Sequence, residues 1–519
     1  MADNPSPEKK PKATPRTTRA PTPDTEPMPG SESKTESHPT IITAGHIYDY
    51  LLCPHKVYLD EFGDRSRMDP ESDFERVLWD KGMAHEEEAL ERLGFAVAQI
   101  ECEGFEECER ETLRLMKGGE GFIYQGRLSA PSMRGSPDLL EKVRGKSRLG
   151  AYHYVPIDMK SGSAYEDEET GRFKEHYVLQ LSFYADILEK VQGVKPETGK
   201  IVDGEFHVVS VDLKPFEREY FERLSEIRDL LSGKAESEPC IGGVCAQCHW
   251  RSFCYRWAKD RDDVSLVRKL NRPRRSALRE NGIRTVSELA ELGNAKRLPK
   301  FEGISGRALE QFVRRAVVFK RGEPILHSPV ELPRRRFEIF FDIETEPLEE
   351  ICYLYGIVER EGEEQRYLSF FADSPDEEES AWNAFWKYVS GLEDFQVYHY
   401  TSYEKTVLTS LSERYACDPA LFERFFQEST DLYGLVDKCT EWPSHSYSIK
   451  AVSKLLGFEY SERDPGGLKA AMWYIEYAKA PGANRALREK IIQYNKEDCE
   501  AMIVLKDWLA KKNEEAFGR

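Results

Sequence analysis

Two apolar runs in this chain end in charged residues two positions apart, and this feature constrains the fold most. The first run, VPIDMK, carries Asp158 and Lys160, and the second, FEIFFDIE, carries Asp342 and Glu344. Because alternate residues of a β-strand point to the same side, each pair projects from one face near the end of a strand. We therefore expect two sheets that each present a charged pair.

Composition divides the 519 residues into an unstructured tail and three folded segments. Residues 1–40 are dense in Pro, Ser, Thr and charge and contain no aromatic residue, so they are expected to be disordered. Residues 41–260 and 336–519 mix strand-like and helical runs, whereas residues 261–335 are typical of short helices. The predicted fold class is α/β multidomain.

Charge and hydropathy exclude some classes of protein. The net charge of −19 argues against a protein that coats nucleic acid or anionic membrane by bulk charge. No apolar run approaches the roughly 18–20 residues that span a bilayer, and no signal-peptide core precedes the first apolar segment. We expect a cytoplasmic protein without a membrane partner.

The connector, residues 261–335, is basic. Residues 264–336 contain 18 Lys plus Arg against 7 Asp plus Glu. The segments NGIRTVSELAEL and FEGISGRALEQFV predict short helices joined by Gly turns. The second resembles a helix-hairpin-helix, with Ser where a second Gly is usual, and this implies contact with a nucleic-acid backbone. A basic helical connector without that contact is the alternative.

The first charged pair belongs to a longer set of candidate residues. If the strand after SPDLL neighbours the strand of VPIDMK, Asp138 and Asp158 can hold Mg²⁺ or Mn²⁺, and Lys160 can assist phosphodiester hydrolysis. His85 is a candidate third metal ligand, and Gln180 and Tyr184 lie on one helix face where they can contact substrate or orient Lys160. The alternative for the DxK motif alone is a strand-end salt bridge.

This order of motifs resembles the RecB-type branch of the PD-(D/E)xK nucleases. The resemblance implies a restriction-endonuclease-like core in residues 41–260.

Four cysteines flank that core. Cys53 precedes it, and Cys245, Cys248 and Cys254 follow it with the spacing C-x2-C-x5-C. Four thiolates suit a [4Fe-4S] cluster, and a four-Cys zinc site is the alternative. His249 and Cys240 are near enough in sequence to be ligands, although we interpret Cys240 as a spare thiol. The distribution resembles iron–sulfur RecB-type nucleases, which implies that a structural cluster closes the domain.

Further candidate site residues follow the second charged pair later in the sequence. Tyr494 and Asp498 are four apart on a predicted helix, and Glu404 lies at a junction of strand and helix. Asp342, Glu344, Glu404 and Asp498 can bind two divalent ions, with Tyr494 orienting the attacking water. Asp431 is a further candidate, with a helix N-terminal acid as its alternative.

The order of this second set resembles the tyrosine-containing DEDD exonucleases of the RNase H-like superfamily. Glu404 departs from it, because the usual motif has Asp. VYHYTSYEKTVL and SYSIKAVSKLLGF resemble, more narrowly, the RNase H-like domain fused to RecB-type cores in bacterial nucleases. A domain that binds nucleic acid without cutting it is the alternative.

Together these motifs predict a metal-dependent nuclease, in particular an exonuclease, that hydrolyses single-stranded or frayed-end DNA in repair, recombination or defence. The alternatives are an RNA-processing 3′–5′ exonuclease and a nucleic-acid-binding scaffold with inactive sites. No GxxxxGK[ST] run is present, so a helicase activity must come from a partner, which the RecB resemblance implies.

Overall fold

The computed structural model describes residues 41–70, 73–168, 170–347, 350–462 and 466–518. The tail that we expect to be disordered, residues 1–40, lies outside the described residues. Mixed sheets covered by helices form the segments on both sides of the connector, so the predicted α/β multidomain class is confirmed.

A six-stranded sheet organises residues 41–260. The strands of this segment are β1 (Ile42–Thr43), β2 (Val97–Ala98), β3 (Phe122–Tyr124), β4 (Leu128–Ala130), β5 (Met133–Gly135), β6 (Leu139–Ser147), β7 (Gly150–Met159), β8 (Tyr165–Asp167), β9 (Arg172–Phe173), β10 (Thr198–Val202) and β11 (Val208–Asp212). The helices are α1 (Ala44–Leu52), α2 (Pro54–Phe62), α3 (Asp73–Arg92), α4 (Phe105–Gly118), α5 (Glu175–Gln192), α6 (Glu217–Leu231) and α7 (Arg251–Asp260). The strand order in the sheet is β11-β10-β7-β6-β3-β2. Strands β6 and β7 form an antiparallel hairpin, and β7 pairs in parallel with β10 after a crossover through helix α5.

The end of strand β7, which carries the candidate residue Asp158, is buried beneath helix α5. The last six residues of β7 are buried, and α5 packs across this part of the sheet with a nearly continuous run of buried side chains. A crossover between parallel strands carries the chain from the end of β7 back to the start of β10, so α5 runs over the face of the sheet and packs against both strands.

The connector contains three helices, α8 (Arg272–Glu280), α9 (Val286–Glu291) and α10 (Gly306–Arg321). Helices α9 and α10 begin in the two segments for which the sequence predicted helices. Gly282 and Gly303 precede α9 and α10 with φ of +84° and +75°, a conformation that favours Gly. Some of the basic side chains of the connector form buried ion pairs within the protein. Arg275 pairs with Asp263 at 2.7 Å and Arg315 pairs with Glu441 at 2.9 Å, all four side chains being buried.

A five-stranded sheet organises the C-terminal segment. The strands of this segment are β13 (Phe337–Glu346), β14 (Ile351–Glu361), β15 (Glu364–Phe371), β16 (Phe395–His399), β17 (Ser429–Asp431) and β18 (Thr440–Glu441), and β18 pairs with β12 (Ile325–Leu326) of the connector. The helices are α11 (Glu378–Ser390), α12 (Tyr403–Arg414), α13 (Pro419–Gln427), α14 (Leu432–Cys439), α15 (Ile449–Leu455), α16 (Gly467–Lys479) and α17 (Arg485–Phe517). The strand order in the sheet is β15-β14-β13-β16-β17, with β13 antiparallel to β14 and parallel to β16.

Helices α16 and α17 pack against the central strand β13 and against each other. This contact brings the end of the chain back to the strand that opens the segment. None of the helices in the described ranges is both long and apolar enough to cross a membrane.

Candidate active sites and a four-cysteine cavity

The first site consists of Asp138, Asp158 and Lys160. Asp138 directly precedes β6, and the pairing of Leu139 with Ile157 sets it beside the end of β7. The Met159 amide donates to Asp138 Oδ2 at 2.6 Å, and Lys160 Nζ lies 2.7 Å from Asp158 Oδ2. The hairpin therefore brings together the acidic residues that the sequence predicted to converge.

Burial and neighbouring charges shift the pKa values of the first-site residues. Desolvation and the nearby Asp158 raise the pKa of Asp138 well above its ordinary value. Burial lowers the pKa of Lys160, but Asp158 and Asp138 raise it more, so the net shift is upward and the ammonium is retained. Two crowded carboxylates beside one ammonium carry an excess of negative charge that a divalent cation can neutralise.

Helix α5 places Tyr184 at this site. Its hydroxyl donates to the Ser136 carbonyl at 3.3 Å, and burial, Asp158 and Asp138 raise its pKa. Gln180 lies one turn earlier and donates to the Ala44 carbonyl at 3.4 Å, so the structure directs its amide nitrogen towards α1.

Helix α3 brings Glu86 to the first site, and it also carries His85. His85 stacks on Phe206 with 4.8 Å between ring centroids, and its Nε2 is buried without a hydrogen-bond partner among the described residues. Glu86 accepts from the Tyr124 hydroxyl at 3.0 Å and raises the pKa of Asp138. Sequence reasoning missed Glu86, because it begins a Glu-rich run typical of an exposed helix face.

The second site consists of Asp342, Glu344 and Asp498. One oxygen of each carboxylate lies within 4.8 Å of the others, and Glu344 and Asp498 are buried. Asp342 and Glu344 project from the same face of β13, and α17 supplies Asp498 from more than 150 positions later. The structure therefore joins three of the four carboxylates that the sequence predicted to converge.

Mutual repulsion in this enclosed site changes the protonation equilibria. Desolvation, Glu344 and Asp498 raise the pKa of Asp342 well above its ordinary value. Desolvation and Asp498 raise the pKa of Glu344 to about 8, against the opposing influence of Lys450. Three crowded carboxylates at neutral pH require cations or protons to share the site.

Three neighbours of the second site were missed by sequence reasoning. Lys450 Nζ lies 3.0 Å from Asp498 Oδ2, the Tyr460 hydroxyl donates to Asp498 Oδ1 at 2.7 Å, and Asn495 Nδ2 donates to Asp342 Oδ2 at 2.8 Å. A Cβ at Gly356 would lie 1.5 Å from Asn495 Oδ1, so this glycine makes room for the Asn495 amide. Lys450 lies in SYSIKAVSKLLGF and Asn495 beside Tyr494, but nothing in the spacing separates them from surface polar residues.

Tyr494 and Glu404 flank the three carboxylates. Burial, Asp498 and Glu344 raise the pKa of Tyr494, which is consistent with a phenol beside that cluster. Glu404 is buried, lies 3.6 Å from His399 Nδ1 and raises the pKa of Asp342, but it is not part of the three-carboxylate group. Asp431 accepts from the Gly434 amide as the N-cap of α14, which matches the structural alternative for this residue.

The four predicted cluster ligands share one cavity. Cys53, Cys245, Cys248 and Cys254 all line a space of about 960 Å³, and Cys240 is a fifth thiol on its wall. Burial raises the pKa of Cys248 to about 11, and the charges of Cys53 and Cys245 contribute. His249 contacts Asp60 at 2.7 Å and does not line this cavity. Elsewhere, Cys102 and Cys108 form a disulfide.

The comparisons with known proteins agree with this geometry. A family model of the PD-(D/E)XK nuclease superfamily matches residues 56–255, and a model of the RNase H superfamily matches residues 339–510. The chain fuses a PD-(D/E)XK domain to an RNase H-like domain. The predicted fusion is confirmed, and the chain is a nuclease that acts on nucleic acid. A search of the curated proteins found no match.

Proposed function

We propose that this chain is a metal-dependent exonuclease with an active site in each domain, acting on single-stranded or frayed-end DNA in repair, recombination or defence. The observation that carries the proposal is the convergence of Asp342, Glu344 and Asp498, whose oxygens lie within 4.8 Å of one another. A protein gains no stability from crowding three carboxylates with a single ammonium, and such groups suit divalent cations.

The ligand set of the second site fits Mg²⁺ or Mn²⁺, which prefer oxygen donors. Asp342, Glu344 and Asp498 hold the metal, with Glu404 adding negative charge beside Asp342. Bound divalent ions supply Lewis acidity and stabilise the leaving oxygen. Asn495 and Lys450 hold the carboxylates in place, and Tyr494 orients the attacking water.

The first site fits the same chemistry with a different charge balance. Asp138 and Asp158 hold the metal, and the nearby Glu86 is a further oxygen donor on α3. The buried Nε2 of His85, which has no hydrogen-bond partner among the described residues, supports His85 as a ligand after its ring leaves Phe206. Lys160 stabilises the negative charge that develops on the phosphate, while Gln180 and Tyr184 orient Lys160 and the substrate strand.

The RecB-type order of the first-site motifs supports DNA as the substrate, and it also supports a helicase partner that delivers the strand. Five exposed basic side chains of the connector can contact backbone phosphates, because they are not part of its buried ion pairs. They are Arg284, Lys296, Arg297, Lys300 and Arg307.

The four-cysteine cavity fits a [4Fe-4S] cluster. Four thiols line a space larger than one tetrahedral zinc ion requires. Arg272 Nη2 lies 3.8 Å from Cys53 Sγ, and the Arg272 charge opposes the effect of burial, which raises the pKa of Cys245 and of Cys254. His55 is fully buried on the same wall, and neither of its ring nitrogens has a hydrogen-bond partner of normal geometry in the described part of the chain. A bound cluster offers sulfur acceptors to such a ring.

Cys248 and Cys240 provide a matched test of the cluster, because both thiols line the cavity but only Cys248 belongs to the predicted ligand set. After anaerobic purification, Cys248→Ser is expected to lose bound iron and sulfide, whereas Cys240→Ser retains both. If the wild type contains stoichiometric zinc and no iron, the four cysteines form a zinc site and the [4Fe-4S] proposal is wrong.

The activity is tested with end-labelled single-stranded DNA, duplex DNA and RNA, incubated anaerobically with Mg²⁺ or Mn²⁺. The proposal predicts metal-dependent shortening of single-stranded DNA that the double variant Lys160→Met/Asp342→Asn abolishes. Shortening of RNA alone would favour the RNA-processing alternative. No cleavage of any substrate by the metal-loaded wild type would contradict catalysis.

A further inference from the structure

Helix α16 presents different faces to the two parts of the molecule. Tyr474 and Tyr477 are buried in the core of the RNase H-like domain, where Tyr474 stacks on Tyr353 with ring centroids 3.9 Å apart. Other residues of the helix line the same cavity as the four cysteines of the PD-(D/E)XK domain. They are Leu468, Lys469, Met472, Trp473 and Glu476. The cysteine cavity is therefore a junction between the two domains.

Trp473 connects this junction to the second site. Its ring meets the Tyr494 ring edge-on, with 6.3 Å between centroids and 85° between planes. Tyr494 lies one helical turn before Asp498, and Lys450 Nζ lies 4.8 Å from the Tyr494 ring while it pairs with Asp498. A single side chain thus contacts both the cysteine cavity and the predicted water-orienting tyrosine.

The cavity also reaches the first site, but through more contacts. Tyr48 lines the cavity and contacts His176, His176 contacts Tyr177, and the Tyr177 ring lies 5.4 Å from Lys160 Nζ. These contacts all lie within the segment of residues 41–260. The contact of Trp473 with Tyr494, in contrast, lies in the other domain.

We propose that Trp473 is a positioning residue that couples occupancy of the four-cysteine site to the second active site. This inference rests on the proposed metal centre and the proposed catalysis. A cluster held by the four cysteines would occupy part of the cavity that Trp473 also lines, and this would restrict the Trp473 ring. Because packed side chains have few alternative arrangements, this restriction extends to Tyr494. Through Trp473, occupancy of the four-cysteine site would order the RNase H-like site as well as the domain that holds the cysteines.

Apolar exposure in the cavity supports this role. Tyr48, Leu52, Val244 and Leu468 are each 38–46% exposed, and all four line the cavity. These walls come from both domains, so a group bound between them stabilises the domains' mutual arrangement as well as its own ligands.

Hydrogen exchange of the full chain tests the coupling without measuring activity. Cluster-loaded wild type is compared with the cluster-free Cys248→Ser variant. The proposal predicts that loading slows amide exchange about tenfold in residues 467–479 and 485–498, in addition to the segments that carry the cysteines. Slowing confined to residues 44–62 and 240–260 in a chain that contains iron would overturn the coupling and leave the metal centre intact. Absence of any bound metal in the wild type would overturn both.

Variants of Trp473 distinguish a specific effect on the second site from a general loss of structure. In a Lys160→Met background, where the second site acts alone, Trp473→Ala is expected to lower kcat about tenfold with little change in KM, and Trp473→Phe to restore most of it. In an Asp342→Asn background, Trp473→Ala is expected to leave first-site cleavage and iron content unchanged. Lys479→Ala, an exposed change on the same helix, is the control.

Equal losses at both sites, or a wild-type kcat in Trp473→Ala, would contradict the positioning role. An intact iron content in all Trp473 variants distinguishes this failure from a failure of the proposed cluster.

Discussion

The two candidate active sites of this nuclease balance their acidic side chains differently. In the PD-(D/E)XK domain one hairpin and helix α3 supply the charged side chains, and Lys160 pairs with Asp158 within the site. In the RNase H-like domain three carboxylates converge from the two ends of the domain, and Lys450 pairs only with Asp498 at their edge. The first candidate site thus carries its own counter-charge, and we expect the second to depend more strongly on divalent cations.

This difference has consequences for assembly as well as for chemistry. The residues of the first-site hairpin are about twenty positions apart, so the local β6–β7 pairing sets them side by side. The second site forms only when α17 packs on β13, and the interactions of Asn495, Tyr460 and Lys450 fix its geometry. Changes at the domain junction are therefore expected to affect the second site more than the first.

The largest effect is expected for Asp342→Asn. Loss of a central metal ligand should lower cleavage by the second site about 10³-fold, measured in a Lys160→Met background at saturating Mg²⁺. Glu364→Gln, an exposed change in the same sheet, is the control. Retention of more than a tenth of the activity in Asp342→Asn would show that metal is bound elsewhere.

Lys160→Met is expected to lower first-site cleavage about 10²-fold in an Asp342→Asn background, because the ammonium beside Asp158 stabilises phosphate charge. Lys174→Met is the matched control, since Lys174 Nζ lies at the same 5.4 Å from the Tyr177 ring as Lys160 Nζ. Equal losses in the two variants would indicate that the charge acts on substrate binding rather than on the chemical step.

A smaller effect is expected for Lys450→Met, which removes the ammonium beside Asp498. The kcat of the second site should fall about 50-fold because Tyr494 and Asp498 lose a common partner. The Mg²⁺ concentration that gives half-maximal activity should fall, since the site becomes more negative. A higher requirement for Mg²⁺ would contradict the assigned charge balance.

Glu404→Gln should have the smallest effect, about a tenfold loss at the second site, because Glu404 acts beside the three-carboxylate group and is paired with His399. A titration of activity against Mn²⁺ compares this variant with Asp342→Asn. A loss as large as that of Asp342→Asn would make Glu404 a metal ligand, as the order of motifs in the sequence predicts.

The sequence predicted those features that follow from local periodicity. Spacing of two in a strand placed Asp342 beside Glu344, and spacing of four in a helix placed Tyr494 above Asp498. Glu86, Lys450 and Asn495 were not predicted, because each looks like a solvated polar residue until tertiary packing brings it to a site. The sequence also could not predict that α16 packs against the cysteine cavity, because this contact depends on how the two domains pack together.

The most direct test of two separate active sites is the shortening of end-labelled single-stranded DNA by four forms of the full chain. They are the wild type, Lys160→Met, Asp342→Asn and the double variant, all cluster-loaded and assayed in Mg²⁺. Two sites predict that each single variant retains part of the activity and that the double variant retains none. Complete loss in either single variant would contradict two independent sites.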